Sequence, residues 1–398
     1  MTDRTHASAL RHTLCKIWSA FPDLRHNSKA ERGRPLDHSN THPHFDPAHT
    51  KSPIEPAHKG RAQRLVEMAE RVGVVRTLQG FHDRRNPALT ILAYHRVMPT
   101  DTLDSYPFDQ ELISATPAQF DSQMRYLREY RHPVSLNDVI AHVEHGHPLP
   151  PNAVAVTFDD GFADTYRYAF PILQRYRIPA TIFVSTGYVE SGEPFWFELT
   201  SYLVYRLAPH SLELQDDTYI PTGDSWTART ASLRHAHSVL KDLSNAKRLH
   251  LIDTWSRRFA DELAHGASRH SQPISWSQII EMAASGIAFG SHTVSHPNLT
   301  RLTDDDLHHE LAESKRTLES KLQQSIDTIA YPIGTESAFN AKVIAAAKHN
   351  QFKLGLTYIS GANAIPIQNP LELHRHGAGL SMTQQYFRAL TSLPYWID

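Results

Sequence analysis

The stretch "VAVTFDDGFADTY", residues 154–166, decides how the chain is read. Val154 to Phe158 is apolar except for Thr157, a pattern that predicts a buried strand. The strand runs straight into Asp159 and Asp160, and Gly161 follows. Adjacent carboxylates repel, and burying either one without a partner is costly. The pair is therefore a solvated turn, or something positive is held beside it.

Working outward, strands and helices alternate. "AVAVTF" (153–158), "ATIFVST" (180–186), "IAFGSH" (287–292), "DTIAYPIG" (327–334), "LGLTYI" (354–359) and "LELHRH" (371–376) read as strands. Residues 162–176, 275–285, 303–322, 337–349 and 383–392 read as helices, with Ser275/Gln278 as a capping box and Thr303 and Asp306 opening the next. Upstream, "ALTILAYHRV" (88–97) is a further buried strand, 61–78 a helix, and 118–145 helical in two pieces. This alternation predicts an α/β protein with a mainly parallel sheet, open or closed into a barrel. Chemistry in such sheets gathers at the C-terminal strand ends. Asp159, Asp160, His292 and the "YPIG" turn all fall there.

Three regions divide the chain. Residues 1–60 read as a His-rich disordered tail, whose His38, His42, His44 and His49 are taken as solvated. Residues 61–150 supply helices and the first strand. Residues 151–398 form the main domain, interrupted at about 188–273 by a mostly helical insertion, with a second helix over roughly 228–264. Its Phe195, Trp196 and Phe197 read as core, with a sugar-stacking wall as the alternative. Asp164 reads as a surface or turn residue, Gly290 and Gly334 as tight-turn positions, and His95 as a structural hydrogen-bonding residue or a cleft residue.

Composition narrows the function. The 40 Lys+Arg nearly balance the 42 Asp+Glu, which gives no electrostatic case for nucleic acid or an anionic membrane. The one cysteine, Cys15, excludes a disulfide framework and a cysteine-based zinc site. Arg11, His12 and Lys16 break every apolar run near the N-terminus, and no stretch approaches a membrane span. The expectation is a cytoplasmic chain without a membrane segment.

The second informative stretch is "FGSHTVSHPNL" (289–299). His292 and His296 stand four apart, so a tight loop could aim both imidazoles at one ion. Spacing alone carries no weight among 27 histidines, since His38 and His42 share it. Context separates the pair: it follows an apolar strand and sits between Gly-Ser and Pro-Asn. One carboxylate with two imidazoles leaves coordination positions open. The neighbouring carboxylate then stays free as a base.

"TFDDG", "SHTVSHPNL" and "AYPIG", in this order, resemble the polysaccharide deacetylase family (NodB homology, carbohydrate esterase family 4). "LAYHRV" and "SWSQIIEMAASGIAFGSHT" extend the resemblance over roughly residues 88–398. It implies a distorted (β/α) barrel, one divalent metal (zinc, with cobalt, nickel or iron as alternatives) and hydrolysis of an N-acetyl group on an amino sugar. By that resemblance Asp159 matches the general base, and Asp160, His292 and His296 match the metal triad. The N–H of Ile333 in "YPIG" would help hold the oxyanion. The chain departs from the family by lacking an arginine before Pro332 and an Asp-Trp motif beyond it. In "LELHRHGA" (371–378), His374 or His376 could protonate the leaving amine, while Arg375 could instead orient Asp159.

The expected function is therefore removal of an N-acetyl group from an amino sugar, in a polysaccharide or its lipid-linked precursor, within exopolysaccharide or surface-glycan synthesis. A sugar deformylase and an inactive saccharide-binding module are the alternatives. An iron oxygenase shares the ligand set but not the alternation of helices and strands.

Overall fold

The computed structural model describes residues 61–71, 73, 87–99, 106, 108–207, 211–213, 219–221, 223, 225–261, 263, 271–393 and 395. The proposed 1–60 tail, with its histidines and Cys15, lies outside the described residues, as does much of 72–86.

Seven short strands organise the chain. These are β1 (Ala88–Tyr94), β2 (Ala153–Phe158), β3 (Ala180–Val184), β4 (Ala288–Ser291), β5 (Thr328–Ala330), β6 (Leu354–Leu356) and β7 (His376–Gly377). The spatial order is β6-β5-β4-β3-β2-β1, all parallel, with β7 parallel to β1 on its other side. Asn363–Ala364 adds an antiparallel pair to β1. Leu373 bridges Leu356 in parallel, and three residues later His376 pairs with Leu92 of β1. One short segment thus joins the two edges of the sheet, giving the distorted barrel.

This corrects the reading of 371–376 as one strand. The segment has to bridge β6 and β1 in a few residues, so it cannot keep a regular ladder with either. The expected 228–264 helix is also two helices, Trp226–Asp242 and Asn245–Arg258. Leu243 turns extended, and Ser244 caps the second helix by accepting from Lys247 N–H. The insertion further contains an antiparallel hairpin, Ser211–Glu213 with Tyr219–Pro221, that periodicity did not reveal. The helix read over 337–349 begins at Ala341, after the Asn340 cap. Elsewhere the capping reading holds: Ser275 and Gln278 make the reciprocal box, and Thr303 accepts from Asp306 N–H.

The pleat of β2 explains why an apolar strand ends in carboxylates. Val154, Val156 and Phe158 face outward, in one cluster with helical Phe120, Met124 and Leu173. Ala153 and Ala155 face the barrel interior with Leu89, Ile91, Phe183, Ala330 and Leu356. Side chains alternate along a strand, so Thr157 and Asp159 continue the interior row. The first aspartate points into the barrel mouth by strand parity alone.

Gly290 sits in the same interior layer on β4, where it is not a turn residue. A Cβ there would lie 2.5 Å from the Phe183 ring and 2.6 Å from Thr328 Oγ1. Its hydrogen is what lets Phe183 fill the barrel. Gly290→Ala should lower stability by about 1–3 kcal/mol through overpacking. The check is the urea midpoint at unchanged slope, and an unshifted midpoint would show that Phe183 can move aside.

Candidate active site

Parity would send Asp160 to the helix side. It returns to the barrel mouth because its own backbone is left-handed, with φ +74°, and Gly161 follows at +86°. Gly161 N–H donates to the Asp159 carbonyl at 2.9 Å, closing a three-residue turn on Asp160. The two adjacent aspartates therefore converge on one space yet meet different partners.

Asp159 receives Arg375. Nη1 and Nη2 donate to its two carboxylate oxygens at 2.7 and 2.8 Å. Nη1 also reaches Thr157 Oγ1, and Nε donates to the Thr357 carbonyl at 2.6 Å. The guanidinium is packed by Tyr358 and Phe183, and both charged groups are buried. Burial alone would raise the Asp159 carboxyl. Arg375, then His292, outweigh it and hold the group well below the usual carboxylate range. Asp159 is an anion at neutral pH.

Asp160 receives the histidine pair. His292 Nε2 and His296 Nε2 each lie 3.4 Å from Asp160 Oδ1. The three candidate ligand atoms lie within 4.8 Å of one another, all on buried residues. His292 Nδ1 lies 2.8 Å from the Ala330 carbonyl, which can only accept, so Nδ1 carries a hydrogen and Nε2 is the nitrogen that faces Asp160. Burial pushes His296 down to about 3, so its imidazole is neutral. Asp160 Oδ1 has no hydrogen-bond donor despite its burial. A buried carboxylate oxygen facing two imidazole nitrogens and no donor is the environment a divalent cation satisfies, and this donor set suits zinc and its neighbours.

The loop bearing the histidines is tightly held. Thr293 and His296 are both left-handed, with φ of +68° and +55°. The Glu310 carboxylate accepts from Val294 N–H at 2.8 Å and Ser295 N–H at 2.9 Å. Ser185 Oγ donates to the His292 carbonyl, and Gly187 N–H donates to the Val294 carbonyl. Phe195 and Phe197, at the start of the insertion, set their rings edge-on to His296 with centroids 5.4 and 5.1 Å away. Trp196 Nε1 donates to the His296 carbonyl. These aromatics are core, and that core abuts the site.

Across the mouth, Ile333 has φ +66°, and Gly334 N–H donates to the Pro332 carbonyl at 2.7 Å. A β-branched residue in this region is strained by about 1–3 kcal/mol. The Ile333 N–H has no acceptor among the described residues.

Two remaining candidates face elsewhere. His374 packs against Gly361, and its backbone pairs with Asn363. His376 Nδ1 meets Ser360 Oγ at 3.0 Å. Of the "HRH" triplet, only Arg375 reaches the aspartates.

Asp164 corrects its sequence reading. It is buried and accepts from Arg96 Nε at 2.6 Å, because Arg96 extends inward from the strand Arg96–Val97. Arg96 also lies 3.7 Å from the buried Glu198, and its guanidinium covers Phe162 at 4.5 Å. Residue type alone did not point to Arg96, Glu198 or Glu310. The only local signal was the polar "HRV" that ends an apolar strand.

Replacing Arg375 with Met should cost about 3–5 kcal/mol at neutral pH, since it strands a buried carboxylate. The folded pKa of Asp159 lies below its unfolded value. Its share of stability is therefore complete above about pH 4 and is lost as pH falls through the depressed value. The gap between wild-type and variant denaturation midpoints should be widest near neutrality and narrow toward about pH 3. A pH-independent gap would mean that Arg375 acts by packing alone.

Residues 146–355 match the family model described as polysaccharide deacetylase. The Bacillus subtilis (strain 168) protein YxkH, named for the same family, is 24% identical over 236 residues, covering 59% of this chain and 55% of its own. The poly-beta-1,6-N-acetyl-D-glucosamine N-deacetylase of Staphylococcus aureus (strain MSSA476) is 33% identical over 113 residues, 27% of this chain and 38% of its own. The chain thus spans about half the length of one relative and well under half of the other. The Streptococcus pyogenes deacetylase PplD, solved with acetate, shares the fold, with a TM-score of 0.51 at 22% identity over 76% of this chain and 97% of that one. The family model covers more than half of the 398 residues, including the strand ends that carry Asp159, Asp160, His292 and His296, and the chain belongs to the polysaccharide deacetylase family.

Proposed function

We propose that this protein is a metal-dependent N-deacetylase acting on amino-sugar residues of a polysaccharide, in the making or tailoring of an exopolysaccharide. One observation carries the reading: two adjacent buried carboxylates are given opposite assignments, Asp159 to a guanidinium and Asp160 to two imidazole nitrogens. Ligand and base are needed together in amide hydrolysis, and one carboxylate cannot serve as both.

Asp160 Oδ1, His292 Nε2 and His296 Nε2 would hold the cation. When bound, a divalent metal supplies Lewis acidity toward the amide carbonyl and a water of lowered pKa. Asp159, kept ionised by Arg375, accepts the proton of the attacking water. Its orientation is fixed because both carboxylate oxygens are already held. The Ile333 N–H is free to donate to the oxyanion of the tetrahedral adduct. Phe195 and Phe197 keep water from the far side of His296.

The substrate class rests on the family and on the S. aureus relative, whose name specifies a β-1,6-linked N-acetylglucosamine polymer. Neighbouring saccharides, including lipid-linked precursors and formylated sugars, belong in the same assay. Zinc-loaded protein should release acetate from N-acetylglucosamine oligomers, lose this activity on chelation and regain it with zinc. Asp159→Asn should lower turnover by about 10²–10⁴-fold and leave zinc content unchanged. His296→Ala should lose zinc itself. Silence over a panel of N-acylated saccharides would sink the assignment, and release of formate alone would replace deacetylation with deformylation.

Among the described residues no helix is long and apolar enough to cross a membrane.

A further inference from the structure

We propose that Tyr358 is a specificity-determining residue, whose hydroxyl donates a hydrogen bond to a free ring hydroxyl of the sugar that carries the acetyl group. The inference rests on the deacetylase reading above and gives that reading a contact with the saccharide itself.

Strand parity places the side chain. Leu354 and Leu356 of β6 face the barrel interior with Leu89, Ile91 and Phe183. Side chains alternate along a strand, so Tyr358, two residues past Leu356, continues the interior row at the mouth, as Asp159 does on β2. Tyr358 N–H donates to the Gly334 carbonyl at 2.8 Å, which ties the residue to the turn that bears Ile333. The ring lies over the Arg375 guanidinium, with its centroid 5.5 Å away, and meets the His95 ring edge-on at 5.4 Å.

The hydroxyl end has room made for it. Gly377 pairs with Ala93 of β1, and a Cβ on Gly377 would lie 2.5 Å from Tyr358 Oη. The phenol therefore reaches over β7, at a position where a hydrogen fits and a methyl does not. The ring is half-buried, yet the hydroxyl has no hydrogen-bond partner among the described residues. A phenol enclosed this far normally finds one. Burial pushes the phenol up to about 12 against the pull of Arg375, and Asp159 and Asp160 add to the rise. It keeps its proton at neutral pH and can donate.

The layout of the mouth assigns this donor to the sugar. Strand ends follow one another around it as β4, β5, β6, β7, β1 and β2. The acetyl group belongs between the Asp160 triad and the Ile333 turn, at the ends of β2, β4 and β5. The arc from β6 to β1 is left for the ring attached through nitrogen. On that arc Arg375 is committed to Asp159, His374 packs against Gly361, and His376 meets Ser360. Tyr358 Oη is the uncommitted hydroxyl there. A site built to bond a substrate hydroxyl discriminates against the analogue that lacks it.

Substrates with and without the sugar separate this role from a structural one. The full chain, zinc-loaded, is assayed with a β-1,6-linked N-acetylglucosamine oligomer and with 4-nitrophenyl acetate. Tyr358→Phe keeps the ring over Arg375 and removes only the hydroxyl. It should lower kcat/KM on the oligomer about tenfold, with ester turnover and zinc content within about twofold of wild type. Ester turnover doubles as the proof that the variant folds. Oligomers lacking the 3-hydroxyl or the 4-hydroxyl complete the cycle. Wild type should lose about tenfold on one of them, and Tyr358→Phe should process that analogue as well as it processes the parent. An unchanged oligomer rate in Tyr358→Phe overturns the role, and so does discrimination between parent and analogue that matches wild type. An equal fall on oligomer and ester also overturns it, since the hydroxyl would then serve the oxyanion or Arg375. If wild-type protein and Asp159→Asn are equally inert on the oligomer, the deacetylase reading has failed and this proposal falls with it.

Discussion

Arg375 and Asp159 lie 216 residues apart in the chain and meet through two short charge-assisted hydrogen bonds inside the barrel mouth. The site depends on this pairing. Without it, two carboxylates on consecutive residues would share one low-dielectric space, and one of them would take up a proton. With it, Asp159 is neutralised in place, and Asp160 is left to face the imidazoles. The guanidinium suits the task because its planar fork matches both carboxylate oxygens and leaves Nε for the Thr357 carbonyl. Arg375 also lies in the segment that joins the two edges of the sheet. Closing the barrel and setting the charge of its proposed base are one structural event.

Backbone strain is concentrated around the same space. Asp160, Thr293, His296 and Ile333 all have positive φ, four of the eight non-glycine residues that do so among the described residues. Each lies just beyond a strand end, where the ladder no longer dictates direction. A regular strand exit would turn alternate side chains to opposite faces. The left-handed turns re-aim Asp160 inward and bend the His292–His296 loop so that both Nε2 atoms face one oxygen. Such conformations persist only when the surroundings over-determine them. Here Glu310, Ser185 and Gly187 supply that restraint around the histidine loop.

The insertion acts as a wall more than as a separate module. Its aromatic cluster continues into Phe162, two residues past Asp160, and is touched by Ile333. Arg96, between Asp164 and Glu198, ties the start of the barrel to the turn after β2 and to the insertion. Burial raises Glu198 to about 7 against the pull of Arg96, and burial raises the Asp164 carboxyl as well. The rings edge-on to His296 and the Arg96 cluster both belong to this junction, since Phe195, Phe197 and Glu198 are near neighbours in the chain.

Short-range signals made much of this protein legible. Periodicity marked the parallel strands and their helices, capping residues marked helix starts, and Asp-Asp-Gly and His-x-x-x-His marked both halves of the site, because each is written within a few consecutive residues. Long-range facts were not written that way. Nothing local distinguishes Arg375 from its flanking histidines, and only the bridging of β6 and β1 turns it toward Asp159. Asp164 looked solvated until Arg96, 68 residues earlier, was brought against it. Gly290 looked like a turn until Phe183 filled the space above it. The sequence by itself determined the alternating architecture and the residue types of the site. The tertiary structure decided which carboxylate meets which cation, because that choice depends on strand parity, left-handed turns and barrel closure, and these exist only once distant strands are paired.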